Sequence, residues 1–441
     1  MNKDIDILTL GCSKNLCDTE RLMAQLNAIG YACHHDPETP NAPIAIINTC
    51  GFIGDAKEES INTILRFAAR KAAGTLHELY VMGCLSERYL KELEQEIPEV
   101  DGWYGKFDYS RITDLLRARQ MTGSRNIAAP LCPSASEPRI LTTPSHYAYL
   151  KISEGCNRFC SYCAIPLITG RHTSRPMEDI LSEVKWLVSK GVKEINVIAQ
   201  DLSSYGLDIY HTHKLPELID RMAETEGVEW IRLHYAYPAD FPEEILDVMA
   251  RHTNVCKYLD LAVQHCSDHM LRLMRRHLTK AEQDTLLAHI RAKVPGIVIR
   301  TTVMVGHPGE TEEDVEELIA WLKQQRFERL GAFAYSDEEG TYAHEHYQDS
   351  IPDEVKQARL SRVMRVQQSI SAAWTEAQIG KTLQVIIDRQ ENGYYIGRTQ
   401  YDSPEVDCEV LIKHNNLTIG NFYNVRITQA EEFDLYGIIQ P

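Results

Sequence analysis

The sequence predicts a multidomain α/β protein: an N-terminal parallel α/β domain over residues 3–120, a central partial (βα)6 barrel of TIM type over 142–373, and a small C-terminal antiparallel β-barrel of OB-like size over 376–441. Three observations carry this reading. Strand and helix patterns alternate through the first part of the chain, which is the signature of a parallel sheet covered on both faces. After a proline-rich stretch the same alternation resumes for about six strand–helix units, the pattern of a parallel barrel or part of one. The end of the chain holds only short strands separated by turns.

In the first region Ile5 to Leu10 reads as a strand ending in Gly11-Cys12, and Thr19 to Ile29 as a helix stopped by Gly30. Ile44 to Asn48 is a buried strand ending in Thr49-Cys50-Gly51; Lys57 to Lys71 is a helix; Glu78 to Met82 is a strand ending in Gly83-Cys84. Parallel sheets place their working groups just past the carboxyl ends of the strands, and each of these three strands delivers a cysteine there. Arg125 to Ser145, with Pro130, Pro133, Pro138 and Pro144, reads as a connection between domains.

In the second region, strands are expected at Tyr147 to Ile152, Glu194 to Ala199, Trp230 to Tyr235, Tyr258 to Val263, Val298 to Val305 and Leu330 to Tyr335. Helices are expected at Met177 to Lys190, Leu215 to Glu224, Pro242 to His252, Asp268 to His277, Lys280 to Ala292 and Glu312 to Gln325. The terminal barrel is read from strands at Val385 to Asp388, Tyr394 to Arg398, Glu409 to Ile412 and Tyr423 to Ile427.

The strongest chemical signal is the run Cys156-x-x-x-Cys160-x-x-Cys163, directly after the first strand of the second region. Three thiolates this close can hold three irons of a four-iron cubane, leaving one iron open to a chelating ligand. Clusters that only carry electrons are usually capped by four cysteines. A zinc reading is possible but poorer, because zinc sites favour C-x-x-C pairs repeated at a distance. A disulfide reading conflicts with the N-terminus, which has no apolar signal core, and no run approaches the roughly 20 apolar residues of a membrane helix. A cytoplasmic location with reduced thiols is therefore expected. Cys12, Cys50 and Cys84 form a second trio assembled by the fold, readable as another metal or cluster site or as core cysteines. Cys17, Cys33, Cys132, Cys256, Cys266 and Cys408 read as ordinary thiols.

Polar groups at the same strand ends outline a pocket, although any one of them alone reads equally well as a solvated loop residue. They are Gln200-Asp201, His234, Gln264-His265 and the turn Gly306-His307-Pro308-Gly309-Glu310. The net charge of -17 disfavours a sequence-independent nucleic-acid binder. From residue 377 on, five basic and nine acidic residues give a net -4, so this small barrel repels a phosphate backbone and suits a basic protein. Asp402, Glu405 and Asp407 are the acids expected to dock it.

The cysteine signature, with aromatic Tyr162 before the last cysteine, resembles that of radical S-adenosylmethionine (SAM) enzymes. Together with the N-terminal trio and the terminal β domain it is similar to the methylthiotransferase family, whose final module is a TRAM domain. The runs Leu10-Gly11-Cys12-Ser13-Lys14-Asn15, Ile198 to Gly206 and Arg398 to Asp407 resemble the branch that modifies a ribosomal protein; Ser13, where proline is frequent, departs slightly. The resemblance implies two 4Fe–4S clusters, held by Cys156, Cys160 and Cys163 and by Cys12, Cys50 and Cys84. It implies SAM as cofactor, with a radical that takes hydrogen from an unactivated carbon and a second SAM that donates methyl. Gln200, Gly306, Gly309 and Glu310 are then expected at SAM. The implied substrate is the β-carbon of an aspartate in small-subunit ribosomal protein number twelve, and the implied reductant a flavodoxin or ferredoxin. A tRNA adenosine methylthiotransferase is the competing reading.

Overall fold

The computed structural model describes residues 3–120 and 139–440. Cys132 and the connection up to Pro138 lie outside the described residues. Two compact units form: residues up to Thr142 with Glu154–Asn157 and Ala164–Arg171, and Thr143–Ser153 with Arg158–Cys163 and His172–Pro441. Of the cysteine loop, Cys156 thus belongs to the first unit and Cys160 and Cys163 to the second.

The first unit is built on five parallel strands: β1 (Asp4–Thr9), β2 (Ala32–His35), β3 (Ile44–Thr49), β4 (Glu78–Gly83) and β5 (Gly102–Trp103), in the order β2-β1-β3-β4-β5. Because β1, β3 and β4 are neighbours, their carboxyl ends lie side by side. The helices are α1 (Ser13–Ala28), α2 (Gly54–Ala72), α3 (Cys84–Glu96) and α4 (Tyr109–Gln120). One sheet face packs Ile5, Ile7 and Ile46 against Leu22 and Leu26 of α1 and Ile112 of α4; the other packs Ala45, Ile47 and Val81 against Phe67 of α2 and Leu93 of α3. Each fully buried side chain of this size stabilises the unit by roughly 1.5–3 kcal/mol. Part of the expected connection is in fact docked here: the Arg139 guanidinium donates to Glu20 at 2.7 Å, with both side chains buried.

The second unit opens with six parallel strands: β6 (Tyr147–Lys151), β7 (Glu194–Ile198), β8 (Trp230–Ala236), β9 (Val255–Leu261), β10 (Val298–Val305) and β11 (Arg329–Ala334). They pair in the order β11-β10-β9-β8-β7-β6. The sheet is open between β6 and β11, as expected for a partial barrel. After the 24-residue helix Asp353–Glu376 the chain closes a second, small barrel from β12 (Thr382–Glu391), β13 (Tyr394–Thr399), β14 (Glu409–Ile412), β15 (Phe422–Ala430) and β16 (Asp434–Ile439).

The segment joining β13 to β14 corrects one expectation. Its acids are tied to the central strands rather than offered to a partner. Asp402 is fully buried and accepts from the Arg329 guanidinium at 2.6 Å and from the Thr399 hydroxyl at 2.6 Å. Asp407 accepts from the Tyr258 hydroxyl at 2.9 Å and faces Arg300 at 3.4 Å. Glu405 is exposed, although it accepts from the Tyr147 hydroxyl at 3.2 Å. Nearby, Arg398 bridges Glu194 (2.8 Å) and Asp388 (2.7 Å), and Glu194 also takes Arg232 at 2.9 Å. A charge count over residues 377–441 misses this, because burial cancels acids that composition treats as surface. No helix among the described residues is long and apolar enough to cross a membrane.

Candidate functional site

In the first unit the fold gathers Cys12, Cys50 and Cys84 at the ends of β1, β3 and β4. Cys12 is the N-cap of α1, and Cys84 is the first residue of α3. Helix N-termini favour negative charge, which suits thiolate sulfur. The adjacent glycines are there for chain-to-chain fit. A Cβ on Gly11 would stand 2.8 Å from the Cys50 Cβ and 3.0 Å from its Sγ; one on Gly83 would stand 2.5 Å from the Thr49 carbonyl oxygen. Asn15 binds the corner together: its amide donates to the Leu10 carbonyl (2.9 Å) and the Thr49 carbonyl (3.1 Å), and its Oδ1 accepts from the Cys84 thiol at 3.6 Å.

A buried cation completes this corner. Lys106 Nζ lies 3.9 Å from the Cys84 Sγ, 3.9 Å from Asp18 and 3.7 Å from Glu154. Cys12 is exposed to solvent but ringed by protein atoms that disfavour its thiolate; Lys14, Lys106 and the local N–H groups outweigh that and hold its thiol below the ordinary value. Burial pushes Cys84 up to about 12, against the pull of Lys106, while Cys12 and Cys50 add to the rise. Burial likewise raises Cys50, with Cys12 adding to it. The three sulfurs therefore feel one another's charge. Among the described residues no three His, Cys, Asp or Glu side chains converge as ligands of one metal ion would. A cubane makes no such demand, because each cysteine binds a different iron.

The Cys156–Cys163 loop follows β6. In the first unit the Cys156 N–H donates to the Gly170 carbonyl at 3.3 Å, and Gly155 (φ 76°) passes so close to Arg171 that a Cβ would stand 2.1 Å from its carbonyl oxygen. In the second unit Ser161 is the anchor: its N–H donates to Met274 (3.0 Å), its carbonyl accepts from Ala343 (2.7 Å), and its hydroxyl meets His307 Nε2 at 3.0 Å. Arg158, on the same loop, donates to Asp201 at 2.8 Å and stacks on Tyr237.

The rim residues divide into supports and unspent polar groups. Glu310 is a support. It accepts from the Gly306 N–H and from Arg359, both at 2.7 Å, and stands 3.5 Å from His265. The Gly306 amide is thus occupied inside its own turn. Gly306 and Gly309 have φ of 79° and 87°, which L side chains rarely adopt. Asp201 accepts from the Ser203 N–H and the Ser204 hydroxyl, which ties its own turn. His234 meets Asn196 at 3.3 Å on the strands. By contrast, Gln200 Oε1 and Gln264 Oε1 are buried without a hydrogen-bond partner. Gln264 is also strained, at φ 69°. Of the remaining thiols, burial pushes Cys33 and Cys256 up to about 12 and Cys266 and Cys408 further still, which disfavours their thiolates.

Lys106 and Arg276 were not singled out by the sequence. Lys106 follows a glycine in a loop, and Arg276 falls in the stretch expected to continue a helix to His277, whereas that helix ends at Leu273. The fold brings Lys106 to Cys84 and Arg276 to Cys160.

Comparison with known proteins gives this arrangement a class. Residues 150–322 match the radical SAM superfamily, residues 379–439 the TRAM domain and residues 4–105 the uncharacterized protein family UPF0004. The fold is similar to that of the radical SAM methyltransferase TsrM from Kitasatospora setae, with TM-score 0.56 and 16% identity over 75% of this chain and 72% of that one. It is also similar to the cobalamin-dependent SAM radical enzyme OxsB, with TM-score 0.53 and 12% identity over 83% and 56%. The chain is a radical SAM enzyme, a class that works with SAM and a 4Fe–4S cluster.

Full-length relatives narrow this further. The chain is 61% identical to the ribosomal protein uS12 methylthiotransferase RimO of Phocaeicola vulgatus, over 99% of each protein. It is 60% identical to that of Bacteroides thetaiotaomicron over 99% and 98%, and 48% identical to that of Cytophaga hutchinsonii over 99% and 97%. It belongs to the RimO family of methylthiotransferases, enzymes that transfer a methylthio group.

Proposed function

We propose that this enzyme places a methylthio group on the β-carbon of an aspartate in ribosomal protein uS12, using two 4Fe–4S clusters and SAM. The observation that carries the reading is the 61% identity, over 99% of the chain, to a uS12 methylthiotransferase. Cys156, Cys160 and Cys163 hold the cluster that meets SAM; Cys12, Cys50 and Cys84 hold the other. The residues fit these groups. The first trio lies on one short loop after β6, and the second shares one sheet edge with two helix N-termini and a buried lysine. When bound, the clusters and SAM supply one-electron chemistry, sulfur and a methyl group, which no acid–base side chain provides.

The chain's own groups do the positioning. Ser161 and its backbone partners fix the cysteine loop, so that Cys160 and Cys163 are presented in one conformation. Glu310 holds the Gly306–Gly309 turn in shape for SAM, and the Gln200 amide oxygen, buried and unpartnered, is free to accept a hydrogen bond from it. Lys14 and Lys106 offset the charge gathered by the other three cysteines. The acidic chain attracts a basic ribosomal protein by long-range charge, which salt screens beyond about 8 Å. The enzyme works in the cytoplasm with a flavodoxin or ferredoxin as electron donor, and tRNA is not its substrate.

Purified, anaerobically reconstituted enzyme incubated with SAM, reductant and either uS12 or bulk tRNA tests this. Methylthiolated uS12 is the expected product. Methylthiolated adenosine in tRNA, with uS12 unchanged, would overturn the substrate assignment.

A further inference from the structure

Arg276 follows the helix Asp268–Leu273, on a segment whose backbone is under strain. Its two neighbours, Arg275 and His277, both take left-handed conformations (φ 56° and 57°). Such a conformation is unfavourable for a non-glycine residue, and strain of this kind gathers at functional sites. Arg276 lies between these two, and it is 2% exposed. Its Nη1 lies 3.2 Å from the Cys160 Sγ and 3.4 Å from the Tyr162 hydroxyl. Its Nη2 donates to the Ala262 carbonyl. The guanidinium carbon sits 4.1 Å from the centre of the Tyr237 ring, and the Tyr237 hydroxyl donates to the Arg276 carbonyl at 2.8 Å.

Among the described residues no carboxylate pairs with this guanidinium, and its Nε is buried without a partner. A buried arginine stays charged, and a buried charge without a counter-charge is expensive. The one neighbour able to become a strong anion by binding metal is the Cys160 sulfur. Hydrogen bonds and positive charge at a ligating sulfur favour the reduced, more negative state of a cluster.

We infer that Arg276 is a positioning residue for the barrel cluster: it donates to the ligating Cys160 sulfur, supplies its counter-charge, and raises the potential at which the cluster accepts an electron. This rests on the assignment of Cys156, Cys160 and Cys163 as cluster ligands. The step it eases is the transfer of one electron from a one-electron protein donor, with no proton or group moved.

The test uses the full chain carrying Cys12→Ala, Cys50→Ala and Cys84→Ala, so that one cluster remains. Iron is counted first, and the midpoint is then followed by electron paramagnetic resonance during an anaerobic redox titration. A parent without iron would overturn the cysteine assignment, and the role of Arg276 with it. With an iron-loaded parent, Arg276→Met is expected to keep its iron and titrate at a more negative potential. Arg276→Lys, which keeps the charge but loses the two-pronged donor, is expected to fall between them. An iron-loaded Arg276→Met with the parent's midpoint would overturn the inference. Should Arg276→Met take up no iron, Arg276→Lys decides: a midpoint shifted negative supports the role, and the parent's midpoint refutes it.

Discussion

Asp402→Asn is expected to destabilise the second unit by about 3 kcal/mol, although the sequence alone places this acid on a docking surface. Its carboxylate is fully buried and is the charged partner of Arg329, with contacts of 2.6 and 3.0 Å. Removing one partner of a buried ion pair costs about 3–5 kcal/mol, because the other charge is left uncompensated. Arg329 keeps two other interactions, the Glu328 carbonyl at 2.9 Å and the face of Trp374 at 4.1 Å, so the cost falls at the low end. In a unit of this size that lowers the midpoint of thermal unfolding by roughly 6 °C. The control is Glu391→Gln, which removes an exposed partner of Arg389 and should cost less than about 1 kcal/mol. Thermal and urea unfolding of the two variants beside the parent makes the comparison. Equal, small losses for both would show that Asp402 is a surface acid and that the small barrel is not locked to the central strands as described.

Three other outcomes are expected. Burial holds His307 neutral, with its pKa lowered to about 4, while the unfolded chain titrates near 6.5. The unfolded state therefore gains protons first as pH falls. Stability contributed at neutral pH is lost between about 6.5 and 4, by up to about 3 kcal/mol, and His307→Gln should flatten that slope in urea unfolding followed against pH. Gln200→Leu removes a buried oxygen that has no partner, so the apo fold should be unchanged or slightly firmer while SAM binding weakens roughly tenfold; calorimetry showing unchanged SAM affinity would remove Gln200 from the pocket. Iron analysis after anaerobic reconstitution should find about eight irons in the parent and about half in either cysteine triple variant. Only the Cys156, Cys160, Cys163 variant should lose SAM cleavage, and full iron in either would refute that trio.

Legibility followed the range of the forces. The helix Glu312–Gln325 is read to the residue because its limits are local: Thr311 and Asp314 form a capping box. The strand Val298–Val305 is as clear, since its β-branched run needs no distant context. The long helix Asp353–Glu376 is not legible from periodicity, because its polar surface is stitched by ion pairs such as Arg362 with Glu316. The strand Asp434–Ile439 is not legible locally, because its place depends on closing a barrel between Glu409–Ile412 and Phe422–Ala430. The helix Cys84–Glu96 hid behind the reading of Cys84 as a strand end, whereas Gly83 turns the chain there at φ 104°. Both cysteine trios were legible as residue types in a pattern. Their supporting charges were not, since Lys106 meets Asp18 and Arg276 meets Cys160 only across long stretches of sequence. Asp402 is legible as a charge of the small barrel but not as a buried one.

The most direct test of the central claim is mass spectrometry of ribosomal protein uS12 from cells with and without this enzyme. A methylthio group is expected on one aspartate when the enzyme is present, with unmodified protein when it is absent and restoration by the intact gene but not by one encoding Cys160→Ala. A uS12 mass that does not change between the two strains would contradict it.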